Sequence, residues 1–330
     1  MATMEPASRY PSKGGFPGPG FTRAVGWMIV GLTAAFLINT YLSIWHGWPG
    51  AQSAFSKGGL GIVQAALFVA GVVGPVLFVS RTDRGLRQDS QLLSSVVAYI
   101  VRAAFWAVVL IGLADMLISF LRVENLLVTM VGHELATELG RSQFRGPVIH
   151  MPLLVLAMAI AAWTRTIGFQ WLALLVVVAE LLIVLTRFIY SYEQAFQGDL
   201  VRFWYAGLFL FASAYTLYED GHVRVDVLYS GFSPRAKGIS NALGCLFMGV
   251  TLCSVILVFG MFDKTSVITG PLLSYEVSQS GFGMYVKYLM AGFLGIFAVT
   301  MMIQFAGYLM DSVADMRGEP GHRDTESPMS

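Results

Sequence analysis

The residues with the strongest chemical character lie at the ends of, or inside, long apolar runs. From His222 to Val227 the segment Glu219-Asp220-Gly221-His222-Val223-Arg224-Val225-Asp226-Val227 alternates polar and apolar residues. In extended backbone this puts three valines on one side and His222, Arg224 and Asp226 on the other. The polar side suits a lipid boundary, with Arg224 able to pair with Asp220 or Asp226, and Gly221 permits a sharp exit from the preceding helix. Ser233-Pro234 reads as an N-cap followed by proline at the first helical position. Four further ionisable residues fall within apolar runs: Arg102, Asp115, Glu180 and Lys287. A charge at membrane depth is costly unless it is paired or faces a cavity. Arg102 and Asp115 are too far apart to pair along one helix at about 1.5 Å per residue, so each is expected to meet another helix or an interface. Glu180 is the deepest. It is expected to be a protonated, hydrogen-bonded carboxyl inside the bundle, with a contact to a partner subunit or a proton-carrying role as alternatives.

No nucleophile–base set, phosphate loop or metal cluster is visible, so an enzyme is not expected. The histidines are His46, His133, His150, His222 and His322. A haem b held between two histidines would need both inside spans, whereas only His46 and His150 lie near span ends on one side. Cys245 and Cys253 sit about 12 Å apart along one helix, too far for a disulfide, and no cofactor is implied.

These groups need elements to position them, and composition says which. The residues AVILMFWYC make up 56% of the 330 and charged residues 12%, an apolar content that requires a bilayer as solvent. The balance of 21 basic and 20 acidic residues leaves no surplus to neutralise phosphates, which argues against nucleic acid as a partner. Eight apolar runs are long enough to cross: Ala24–Ile44, Leu60–Ser80, Leu92–Phe120, Val148–Trp163, Phe169–Tyr190, Leu200–Tyr218, Gly238–Phe259 and Tyr285–Met310. The fourth is short and contains Pro152. Residues 1–20 form a Pro/Gly-rich tail and residues 311–330 a polar one, both expected to be disordered. The fold class is therefore an all-α integral membrane protein with about eight transmembrane helices.

Arg9, Lys13 and Arg23, then Arg81, Arg84 and Arg87, then Arg165, then Arg224, Arg235 and Lys237 all fall on one side if both termini are cytoplasmic. The outer loop Glu124–Gly140 has helical spacing of Leu126, Leu127, Met130, Val131 and Leu135, expected to be a short helix covering the bundle or one lying on the membrane surface. Trp27, Trp45, Trp48, Trp163, Trp171 and Trp204 mark span ends, while Trp106 sits deeper. Gly71 with Gly74, and Gly292 with Gly295, offer small-residue packing patches.

The run Asp220-Gly221-His222-Val223-Arg224-Val225-Asp226, the following Leu228-Tyr229 and Ser233-Pro234-Arg235 resemble one family. So do Asp199-Leu200-Val201-Arg202-Phe203-Trp204 and Phe211–Leu217. It is the small, Q-type membrane subunit of tripartite ATP-independent periplasmic (TRAP) transporters, and the resemblance covers roughly residues 168 to 317. Asp199 stands where the family commonly has Glu. The resemblance implies the scaffold subunit of a sodium-driven, binding-protein-dependent importer of organic acids. Its expected partners are the large permease subunit, a periplasmic solute-binding protein and membrane lipid, in a bacterial inner membrane. Asp199, Arg202, Asp220, Gly221, His222, Arg224, Asp226, Ser233, Pro234 and Arg235 would serve subunit assembly. The chain shows no paired, interrupted short helices of the kind that build transport sites, which fits a scaffold rather than the moving part.

The family's usual chain has four spans, so residues 168–310 form the family-like domain and residues 21–167 a four-span extension of unassigned role. Asp83, Arg87 and Asp89 repeat the mutual spacing of Asp220, Arg224 and Asp226, a faint sign of duplication. The alternative reading is a scaffold or anchor subunit repurposed for another membrane complex.

Overall fold

The computed structural model describes residues 18–56, 59–165, 169–218, 228–277 and 283–321. The described residues are helical and turn, with no strand. In hydrocarbon every backbone amide must find its partner within the segment, which a helix provides. Among the described residues eight helices are long and apolar enough to span: α1 (Pro19–Trp45), α2 (Gly59–Arg81), α3 (Leu86–Val123), α6 (Ser142–Trp163), α7 (Phe169–Tyr190), α8 (Ala195–Tyr218), α9 (Pro234–Gly260) and α11 (Lys287–Met316). Short helices α4 (Leu126–Val131), α5 (His133–Leu139) and α10 (Thr269–Ser274) lie between them.

Several boundaries have local causes. Pro19 opens α1 and Pro234 opens α9, where a missing N–H costs nothing. The Ser233 hydroxyl accepts from the Ala236 amide at 3.3 Å, the expected N-cap. The fourth span begins earlier than its apolar run because a wide π turn at Gly146–His150 accommodates Pro147 and keeps two polar residues, Arg145 and His150, within the helix. The expected single helix after α3 is two, broken at Gly132, whose φ of 81° continues neither. Their buried residues Leu127, Ala136 and Leu139 pack against Ile118, Leu121, Phe144 and Ile149, so the pair covers that end of its unit. Finally, α11 runs on through Asp311 and Asp315 to Met316, so the first residues of the expected disordered tail are helix.

The chain forms two compact units, and each combines residues from before and after position 167. Unit one holds residues 1–95, 217–254 and 301–330; unit two holds residues 96–216 and 255–300. In unit one, α1 and α2 cross in contact at paired glycines. A Cβ on Gly31 would lie 2.4 Å from the Gly71 carbonyl oxygen, and one on Gly71 2.8 Å from that of Gly31. Close approach of this kind lets helices gain dispersion contacts that lipid cannot offer as an alternative. Gly74 faces open space, so of the expected Gly71–Gly74 patch only Gly71 packs. The buried Gln64 fixes the α1–α2 connection, accepting from the Gly50 amide at 2.8 Å and donating to Asn39 Oδ1 and Ser43 Oγ.

Candidate functional site

In unit two, the end of α3, the start of α6 and the start of α11 converge on Asp115. Asp115, Ser119, Arg145 and His150 are all fully buried. The carboxylate accepts from Arg145 Nη1 at 2.7 Å and His150 Nε2 at 3.2 Å on one oxygen, and from the Tyr285 amide at 2.7 Å on the other. His150 Nδ1 lies 2.7 Å from the Tyr288 hydroxyl. A neutral ring protonated on Nε2 satisfies both contacts, donating to Asp115 and accepting from Tyr288. Arg145 donates also to Ser119 Oγ and the Leu139 carbonyl, and its guanidinium lies 4.3 Å from the centre of the Tyr285 ring. Arg122 stacks on the same ring at 4.8 Å and donates to the Tyr285 hydroxyl and the Gly283 carbonyl. Tyr285 is thereby held at both ends and on its faces, and it fixes the entry to α11.

Beside it, Asp199 near the start of α8 accepts from the Met284 amide at 3.0 Å and pairs with exposed Arg202 at 3.4 Å. Trp204, one turn on, donates to the Val108 carbonyl at 3.2 Å, and Gly112 leaves room for its indole. Thus the residues of the Asp-Leu-Val-Arg-Phe-Trp stretch dock α8 onto α3 and the α11 entry. The geometry is of hydrogen-bonded anchors that join helix ends. Among the described residues no three of His, Cys, Asp and Glu gather as metal ligands, and both cysteines are free and buried.

Unit one has its own polar node. The buried Asp89 at the start of α3 accepts from Arg23 Nε at 2.8 Å and Trp27 Nε1 at 2.9 Å, and Arg23 donates on to the Thr82 carbonyl and hydroxyl at the end of α2. Arg87 pairs with Asp315 at 2.7 Å and Asp311 at 3.8 Å, while Ser90 donates to Asp311 at 2.6 Å. The start of α1 and the end of α11 therefore lie side by side: Ala306 and Met310 fill the space beside Gly26. Of the triplet that suggested duplication, Arg87 and Asp89 thus brace the ends of α1 and α11.

The sequence-derived residues fare differently. Asp115 meets other helices as expected, and Arg102 donates to the Ala161 carbonyl of α6 at a long 3.4 Å. Lys287 is half exposed and pairs with Glu276. Trp163 and Trp171 stand exposed, whereas Trp27, Trp106 and Trp204 hydrogen-bond inward. Asp220, Gly221, His222, Arg224 and Asp226 lie outside the described residues; Ser233, Pro234 and Arg235 cap and open α9 at its exposed end. Glu180 corrects an expectation: it is exposed on α7 rather than hydrogen-bonded inside the bundle. The physical reason is azimuth. The buried stripe of α7 runs through Leu172 and Ala179, and the residue after Ala179 is rotated about 100° away from it.

Missed altogether were His150, considered only as a haem ligand, and Tyr285 with its two guanidiniums. The available signal was that Asp115, Arg145, His150 and Tyr285 all sit at span ends assigned to one side of the membrane.

Residues 174–314 match the family described as tripartite ATP-independent periplasmic transporters, DctQ component. No curated protein and no solved structure gives a significant match. The matched family is that of the small membrane subunit of TRAP transporters, a family of transporter components, and the match covers under half of the 330 residues. It spans α7 from Leu174 through α8 and α9 to near the end of α11, and leaves α1 to α6 as a multi-span extension.

Proposed function

We propose that the chain is the scaffold subunit of a sodium-driven, binding-protein-dependent importer of organic acids in a bacterial inner membrane, with both termini cytoplasmic. It supports a large permease subunit that carries the substrate and sodium sites, and a periplasmic solute-binding protein delivers the solute. The observation that carries this reading is the family match over residues 174–314, joined to a polar network that fixes helix ends rather than opening a site. A moving transport element needs broken helices and unsatisfied backbone lining a cavity. Here Asp115, Asp199 and Asp89 are each engaged by two or more donors, as a static brace requires.

The extension acts as part of the same brace. Its Asp115, Arg145 and His150 hold Tyr285 and Tyr288 of the family-matching segment, and its Arg87, Ser90 and Ser94 hold Asp315, Asp311 and Gln304. Asp199, Arg202, Ser233, Pro234 and Arg235 serve assembly by fixing the ends of α8 and α9, and Asp220, Gly221, His222, Arg224 and Asp226, which lie outside the described residues, carry the family-like sequence run. Co-expression with a large TRAP permease, mild detergent extraction and affinity capture of this chain tests the reading. The permease is expected in stoichiometric amounts; its absence from the captured material overturns the assignment and favours a scaffold in some other complex.

A further inference from the structure

The least covered of the spans is α7: 6% of its apolar window is buried, against 56% for α3. Glu180 sits at its midpoint, exposed, with no hydrogen-bond or ion-pair partner among the described residues. A carboxyl facing lipid at this depth is disfavoured unless a neighbouring helix supplies a donor. Its surroundings have the pattern of a packing seam. Gln170, Ala173, Val177, Glu180, Val184 and Arg187 recur at alternating spacings of three and four, which keeps them on one stripe that a second helix can follow. Small Ala173 and β-branched Val177 and Val184 flank the carboxyl, allowing close backbone approach. This stripe is distinct from the one through Leu172 and Ala179 that packs within the chain.

We propose that this seam is the docking site for a membrane helix of the large permease subunit, and that the helix carries a cationic or amide donor at mid-depth to engage the Glu180 carboxyl. The inference rests on the small-subunit reading. A second copy of this chain is the poorer occupant, because a two-fold contact along the seam sets two Glu180 carboxyls against each other and requires one of them to be protonated. A partner of different sequence brings the complementary charge instead. Glu180 is then an assembly residue whose removal leaves this chain folded, since it is exposed and no hydrogen bond or ion pair among the described residues depends on it.

The test uses the full chain co-expressed with the permease. Glu180→Leu is expected to cut co-captured permease by about tenfold or more, whereas Glu180→Gln, which still accepts a hydrogen bond, loses less than Glu180→Leu. Both variants should match the wild type in size-exclusion profile and thermal midpoint. A photo-crosslinking residue at Val177 or Val184 should yield adducts with the permease; one at the exposed Val178 or Leu185, rotated about 100° from the seam, should yield fewer. Undiminished capture by Glu180→Leu, or adducts at 177 and 184 that join two copies of this chain, overturns the seam. Failure of the wild type to capture permease at all instead overturns the small-subunit reading on which it rests.

Discussion

Replacing Asp115 by Leu removes one carboxylate and strands several groups at once. Arg145 loses its anionic partner at 2.7 Å while remaining fully buried, and the Tyr285 amide and His150 Nε2 lose their acceptor. Breaking a buried ion pair by removing one partner costs about 3–5 kcal/mol. A stranded amide adds about 1–3 kcal/mol, but the same missing oxygens are counted in both, so about 4 kcal/mol is the working figure. Neutral hydrogen bonds between membrane helices average only about 0.6 kcal/mol, so a loss of this size identifies the stranded charge as the cause. The double variant Asp115→Leu with Arg145→Met removes both charges and should recover at least about half of the loss. Unfolding by sodium dodecyl sulfate in mixed micelles, followed by the fluorescence of the 7 tryptophans, measures each variant. If Asp115→Leu lies within about 1 kcal/mol of the wild type, or the double variant is as unstable as the sum of the singles, the node is not the clamp described.

Two further outcomes follow from the same physical reasoning. Gly31→Leu or Gly71→Leu should force α1 and α2 apart, since even a methyl group would meet backbone oxygen at 2.4 or 2.8 Å, and should cost about 1–3 kcal/mol in the same assay; Gly74→Leu, facing open space, should be neutral. In the loop after α9, the Thr265 hydroxyl and amide hold the Asp263 carboxyl below its ordinary value. A depressed carboxyl contributes order above its unfolded value and loses it as pH falls through the folded one, so hydrogen-exchange protection of the Thr265 amide should persist at pH about 4 and vanish only below it. Protection lost already at pH 5 would contradict the assignment, and Asp263→Ala should lack it throughout.

The spans were legible because twenty apolar residues in a row have few other uses, and the Ser233-Pro234 start of α9 because capping is local chemistry. The start of the fourth span was not, since Arg145 and His150 interrupt the apolar run that marks it. Their partner Asp115 lies 30 and 35 positions away on another helix, and no spacing rule reaches that far. The Gly31–Gly71 crossing escaped for the same reason, being half on α1 and half on α2. With Glu180, depth was readable but azimuth was not: hydropathy gives the position along a span, while the buried side of α7 is decided by which neighbours pack on Leu172 and Ala179. The polar loop from Asp220 to Asp226, which carried most of the resemblance, lies outside the described residues, so its family relationship rests on sequence alone.

On the proposed function this chain is a required, non-transporting subunit of a TRAP importer. Reconstitution of the large permease in proteoliposomes, with a solute-binding protein outside and an inward sodium gradient, tests it by measuring organic-acid uptake with and without this chain. Sodium-dependent uptake only when the chain is present is the predicted result; uptake at the same rate in its absence would contradict the account.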